Sequence, residues 1–226
     1  MGIARIFNRR KGRCAFCGKI GIVTRDHVPP KAIFPAPFPE DLITVPGCSS
    51  CNHGASTRDE EFRVFLSLQL GTGTERASRL WTNHAVPTLQ HNQKLLHRIV
   101  GSMREYEVRT GGGLIVGKQR GIPWEKTSTV ETMEKIVRGL YFHHFNDVLS
   151  ADVTVTIGLL SSIPNEFVPI MEEMALNSVG IDAFAYRYAR AGDSPKESLW
   201  IMLFYKKILI YGITELRPRM PNDLLS

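Results

Sequence analysis

Cys14-Ala15-Phe16-Cys17, then Asp26-His27-Val28-Pro29-Pro30, then Cys48-Ser49-Ser50-Cys51-Asn52 is the stretch on which the reading of this chain turns. Its two Cys-x-x-Cys pairs hold all four cysteines of the sequence. Two thiolate pairs brought together by folding supply a tetrahedral S₄ site, the closed arrangement that structural zinc takes. A segment this short buries little apolar surface, so a metal cross-link substitutes for part of a core. Between the pairs, Asp26 and His27 set a carboxylate beside an imidazole, the makings of a second, catalytic metal site.

In order and kind these elements resemble the zinc-stabilised branch of the HNH endonuclease family. Its pattern reads C-x-x-C, D-H-[IV]-x-P, an Asn or Asp ahead of an apolar strand, then C-x-x-C-N. Here the third element is Asp41-Leu42-Ile43-Thr44-Val45, and Asn52 follows the last cysteine directly. The resemblance covers about the first third of the chain. It implies a ββα-metal fold, in which a short hairpin and a helix clasp one divalent cation. It also implies an activity, metal-dependent hydrolysis of phosphodiester bonds in DNA. On that basis Asp26 and Asn52 are the expected oxygen ligands of the catalytic ion, Mg²⁺ on availability grounds, with Mn²⁺ or Ni²⁺ as substitutes. His27 is the expected general base, because imidazole titrates near neutrality and can take a proton from water. The family's middle Asn orients that base. Asp41 is its nearest equivalent here, with a slightly longer connection to the second cysteine pair.

Each residue also has a plainer reading. Asp26-His27 alone would be a turn-forming Asp and a surface His. Asn52 can cap a helix. His53 is adjacent but has no consistent counterpart in the family. Asp59, Glu60 and Glu61 fall in a first helical turn, where the helix dipole accounts for them, and an added metal contact from Asp59 is a second reading. A protein of another class, a zinc-knuckle nucleic-acid binder without catalysis, would need none of the trio Asp26, His27 and Asn52. Their presence together favours the enzyme.

The bulk properties are those of an ordinary globular chain of 226 residues, 43% hydrophobic and 22% charged, with a formal net charge of +6. Residues 1–35 hold eight Lys or Arg against the single acid Asp26. Arg5, Arg9, Arg10, Lys11, Arg13, Arg25 and Lys31 are therefore candidate phosphate contacts, with a solvated basic arm as the alternative. The N-terminal residues lack the apolar core of a signal peptide and no stretch is apolar enough to span a bilayer. Cysteines arranged as metal pairs favour a reducing compartment. The expectation is a cytoplasmic protein whose partner is DNA.

Periodicity places a strand over 20–25, a proline-punctuated loop over 33–41 and a second strand over 42–45. A helix is expected from about Arg58, capped by Ser56 or Thr57, with Phe62, Phe65, Leu66 and Leu68 on its apolar face. Gly71 to Thr74 reads as a boundary. Helices through Trp81 and over 88–103 follow, then a hairpin of 105–109 and 114–118. Gly112-x-x-x-x-Gly117-Lys118 lacks both the following Ser or Thr and a helix, which excludes a phosphate loop. A helix over 128–145, a strand over 152–158, a helix over 164–177 and a meander of 184–190, 199–205 and 208–213 complete the chain. His143 and His144, adjacent on a helix, diverge too far to share an ion. The fold class is α+β: a zinc-stabilised HNH domain over 1–70 and an α+β accessory domain over 71–226 whose role the sequence leaves open.

Overall fold

The computed structural model describes residues 10–52, 55–70, 74–123 and 128–216. Three antiparallel sheets and a set of helices make a mixed α+β architecture. The first sheet joins β1 (Arg10–Arg13), β2 (Ile20–His27) and β3 (Thr44–Cys48) in that order. Val23 pairs with Cys48 and His27 with Thr44, so the strand that ends in Asp26-His27 lies against the one that delivers the second cysteine pair. A short helical turn α1 (Ser49–Asn52) and the long helix α2 (Ala55–Leu70) follow at once. This is a ββα order, with β1 added on the outer edge.

Past residue 74 the chain is helical through α3 (Glu75–Leu80), a π-helical turn over Trp81–Ala85 and α4 (Val86–His91). The wide turn falls just before Pro87, whose missing N–H cannot close an ordinary helical bond. Then come α5 (Gln93–Ser102) and an outlying hairpin of β4 (Arg104–Arg109) and β5 (Ile115–Gly121). Gly112 to Lys118 is the hairpin's tip and second strand, which agrees with the exclusion of a phosphate loop.

Helix α6 (Thr129–Phe145) is the hub of the molecule. It packs on α2 and β3 on one side. On the other it packs on the five-stranded sheet, ordered β6 (Val153–Leu160), β10 (Ile208–Leu216), β9 (Ser198–Phe204), β8 (Phe184–Arg190), β7 (Ala175–Val179). Met133, Ile136, Val137, Leu140 and Tyr141 recur at helical spacing and are all buried. Trp200, Met202 and Phe204 meet them from alternate positions of β9. Each such apolar side chain contributes about 1.5–3 kcal/mol by leaving water.

The expected boundary near residue 70 does not separate two cores. One buried cluster runs from Cys14, Val28, Ile33 and Phe34 through Phe62 and Leu66 of α2 to α6 and the large sheet. Element limits also move. The second strand begins at Thr44, not Leu42, and α2 begins three positions ahead of Arg58, so Thr57 lies within it. The helix expected over 164–177 is much shorter: α7 spans Val168–Glu173 and is followed by edge strand β7. Arg187 explains the stop, since its Nη1 donates to the carbonyls of Met171 (2.9 Å) and Met174 (3.1 Å) and so satisfies the helix's last acceptors. Ser128 does not cap α6 with its side chain. Its hydroxyl donates to the buried carboxylate of Glu61 instead.

Candidate metal centre

The two Cys-x-x-Cys turns close on each other as the strand pairing dictates. After β1 the backbone folds back at Cys14, whose carbonyl accepts from Gly18 N (2.9 Å) while its own N–H donates to Lys19 O (3.0 Å). The β2–β3 register carries Cys48 to the same corner, where its backbone N–H donates to the Cys14 sulfur at 3.4 Å. Four Sγ atoms, from Cys14, Cys17, Cys48 and Cys51, lie within 4.8 Å of one another. The Cys17–Cys48 sulfur separation is 3.8 Å, and a regular tetrahedron with metal–sulfur bonds of about 2.3 Å has edges of about 3.8 Å. This donor set fits a structural metal ion such as zinc. Ser50 donates to the Cys48 sulfur at 3.0 Å and draws its pKa down to about 6, while burial pushes the Cys51 thiol up. Left to themselves, the thiols would resist full ionisation. A bound cation is what allows four thiolates to share one corner.

The second constellation lies at the end of β2. Asn52 folds back over the hairpin from the end of α1, and Gly47 makes room for it: a Cβ there would stand 3.1 Å from Asn52 Nδ2 and 3.2 Å from the Phe16 ring. The Asn52 amide donates to Thr24 Oγ1 at 3.4 Å, which turns its carbonyl oxygen toward Asp26. Between these two residues sits a cation of the chain itself. Lys135 Nζ, from α6, is 2.6 Å from Asp26 Oδ2 and 3.2 Å from Asn52 Oδ1, and stands 4.9 Å above the centre of the Phe16 ring. The Lys135 and Asp26 side chains are only 16% and 17% exposed. Asp26 Oδ2 is fully enclosed, and no described donor is aligned for a hydrogen bond to it. The 2.6 Å contact is therefore Coulombic in character. An enclosed carboxylate oxygen with no aligned donor, beside an amide oxygen, suits a hard cation that demands no fixed donor angle.

Two further groups frame this point. Asp59, in the first turns of α2, has its carboxyl pushed up to about 6 by burial, with the Lys135 charge acting against and the Asp26 charge acting with the shift. His27 is half-buried. Burial lowers its pKa, the Lys31 charge lowers it further and Asp26 opposes both. The imidazole is thus neutral at pH 7, the form that accepts a proton. Successive strand residues point to opposite faces, so Asp26 and His27 flank the strand end from two sides.

The structure brings Asp26 and Asn52 together, sets His27 beside Asp26, and gathers the four cysteines. Asp41 is engaged elsewhere: both of its carboxylate oxygens accept from Gly180 N at 3.0 Å, at the surface, and no hydrogen bond joins it to His27 among the described residues. The base-orienting role expected for Asp41 has no geometric support, because its carboxylate is committed to the turn between β7 and β8. Of the basic residues, Arg10, Lys11 and Arg13 lie on β1 and are exposed, so this part of the basic arm is a strand of the sheet. Arg10 and Arg25 line one shallow cleft with Thr24 and Thr44. Lys31 stands 3.8 Å above the Phe38 ring. Arg5, Arg9 and His53 lie outside the described residues.

Lys135 is the residue that the sequence did not reveal. It sits between Glu134 and Ile136 in an unexceptional amphipathic helix, and nothing local distinguishes it from a solvated lysine. His144, in contrast, is half-buried and packs with aromatic side chains of the large sheet. It stacks on Tyr188 with ring centres 4.1 Å apart and bonds Tyr186 Oη at 2.8 Å. No helix among the described residues is long and apolar enough to cross a membrane. Comparison with protein-family models, with curated proteins and with solved structures finds no match to this chain.

Proposed function

We propose that this chain is a metal-dependent HNH-type endonuclease that hydrolyses phosphodiester bonds in DNA. The observation that carries the reading is the convergence of Asp26 Oδ2 and Asn52 Oδ1 on a single cation position, with His27 next to Asp26 in the chain. Asp26 and Asn52 would hold one divalent ion, Mg²⁺ or Mn²⁺, and Asp59, which feels the charges of both Lys135 and Asp26, is the candidate for a further carboxylate. Such an ion supplies charge neutralisation on the scissile phosphate and on the departing 3′ oxygen. His27, neutral because it is partly buried, takes the proton of the attacking water. The Cys14, Cys17, Cys48 and Cys51 site, loaded with zinc, fixes the hairpin so that these side chains keep their spacing. Arg10, Lys11, Arg13, Arg25 and Lys31 offer exposed charge for backbone phosphates.

A second reading, a nucleic-acid binder without catalysis, is favoured by one observation: the chain's own Lys135 already neutralises Asp26. A plasmid-nicking assay on the zinc-loaded protein separates the two. The enzyme reading expects nicking that depends on added Mg²⁺ or Mn²⁺ and falls by about two orders of magnitude or more in His27→Ala, with duplex binding retained. Duplex binding with intact plasmid at every ion concentration would establish the binder instead. Nicking at the wild-type rate by His27→Ala would remove His27 from the chemistry.

A further inference from the structure

The ammonium of Lys135 stands at the point where the two candidate metal-binding oxygens meet, and it gets there by design of the helix packing. Gly139 lies one turn further along α6, on the same face as Lys135. A Cβ at Gly139 would be 2.6 Å from a methyl of Val28 and 3.3 Å from the Phe16 ring, so the missing side chain lets α6 press directly on the loop after β2. With the helix seated there, Lys135 overhangs Asp26 and Asn52, and the Phe16 ring beneath favours a cation by its π face. The site is therefore occupied in the folded chain by a monovalent cation that cannot diffuse away.

We propose that Lys135 is a resident counter-cation of the Asp26–Asn52 site. A divalent ion must displace it to bind. This rests on the reading of that oxygen pair as the catalytic metal site and adds a second cation to it. The competition follows from charge. Two cations cannot share contacts of 2.6 and 3.2 Å with the same oxygens, and an ammonium on a flexible four-carbon stem can swing aside without unfolding the helix that carries it. Once displaced, it remains tethered to α6 next to the bound ion. The resident lysine then keeps the oxygen pair charge-balanced when no divalent ion is present.

The test is Mn²⁺ binding to the full-length, zinc-loaded protein without DNA, followed by the loss of the free-ion paramagnetic resonance signal. Wild type is compared with Lys135→Met and Lys135→Gln, the second retaining a polar contact to Asn52 if the first folds poorly. Removing the competitor should tighten Mn²⁺ binding by about tenfold or more, a modest share of the Coulombic attraction between unit charges this close in a partly buried site. Asp26→Asn in either background should abolish it. Equal Mn²⁺ affinity in wild type and both variants overturns the competition while leaving the metal site standing. Weaker binding in the variants also overturns it, because Lys135 would then be helping to position the oxygens. No binding in any form up to millimolar Mn²⁺ overturns both this proposal and the metal-dependent reading beneath it.

Discussion

Gly139→Ala offers a sharp check on how α6 is seated, because two physical effects push it in opposite directions. Alanine is the better helix former, worth about 0.5–1 kcal/mol over glycine in a helix interior. By propensity alone the substitution stabilises. The structure forecasts otherwise. The new Cβ would sit 2.6 Å from Val28 Cγ2, 3.0 Å from Val28 Cγ1 and 3.3 Å from Phe16 Cε1. Carbon pairs rest at about 3.5–4.0 Å, so the helix must withdraw by about 1 Å. Both neighbours are buried, and overpacking of this kind costs about 1–3 kcal/mol. The net expectation is a loss of about 0–2 kcal/mol. Val28→Ala removes the two offending methyl groups at its own cost of about 1–3 kcal/mol. In that background Gly139→Ala should turn stabilising by about 0.5–1 kcal/mol. The assay is urea denaturation of the four zinc-loaded proteins, read as a double-mutant cycle with unchanged m-values. If Gly139→Ala stabilises equally in both backgrounds, α6 does not press on the loop after β2, and the placement of Lys135 loses its support.

Two other expectations concern the rest of the molecule. Elemental analysis of the native protein should find one zinc per chain. Cys51→Ser should lose that ion and with it the protease resistance of residues 10–70, whereas a zinc-free native protein would refute the S₄ site. The pH dependence of stability should carry the signature of His144, whose pKa burial lowers from 6.5 to about 4. The unfolded chain binds this proton at higher pH than the folded one, so stability is complete above about pH 6.5 and is lost as pH falls toward 4. His144→Gln should flatten that slope in denaturation curves recorded between pH 7 and 4.5, and an unchanged slope would place the acid sensitivity elsewhere.

The cysteine corner was legible because its chemistry is local: ligand type and spacing within two short turns suffice to define four donors, and folding has only to close one hairpin. The meeting of Asp26 and Asn52 has the same short-range origin, since β2 lies against β3 and α1 follows β3 at once. The large sheet was legible where alternation was clean, as in Phe184, Tyr186 and Tyr188, which share one face and stack in sequence. What failed depended on partners distant in the chain. The helix after Pro164 ends early because Arg187 takes its carbonyls. Asp41 serves Gly180, and Lys135 serves Asp26. A pattern read within a short window carries no trace of the last two contacts, each made across more than a hundred residues.

That difference bears on what the long region after residue 70 does. Val28, Ile33 and Phe34 lie on the connection after β2, which holds one 3-10 turn (Lys31–Ile33), yet they are among the most deeply buried residues. They are buried because α6 and the large sheet cover them: Val28 meets Gly139, and Tyr205 Oη donates to the Ile33 carbonyl at 2.5 Å. The same loop is tied at its far end by Asp41 on Gly180. The segment that leads away from Asp26 and His27 is therefore held by residues from the second half of the chain. So is the cation between Asp26 and Asn52, since Lys135 comes from α6. A hairpin too small to bury its own loop needs such a floor. The accessory region is part of the site's construction, and whatever else it binds, it sets the geometry in which Asp26, His27 and Asn52 stand.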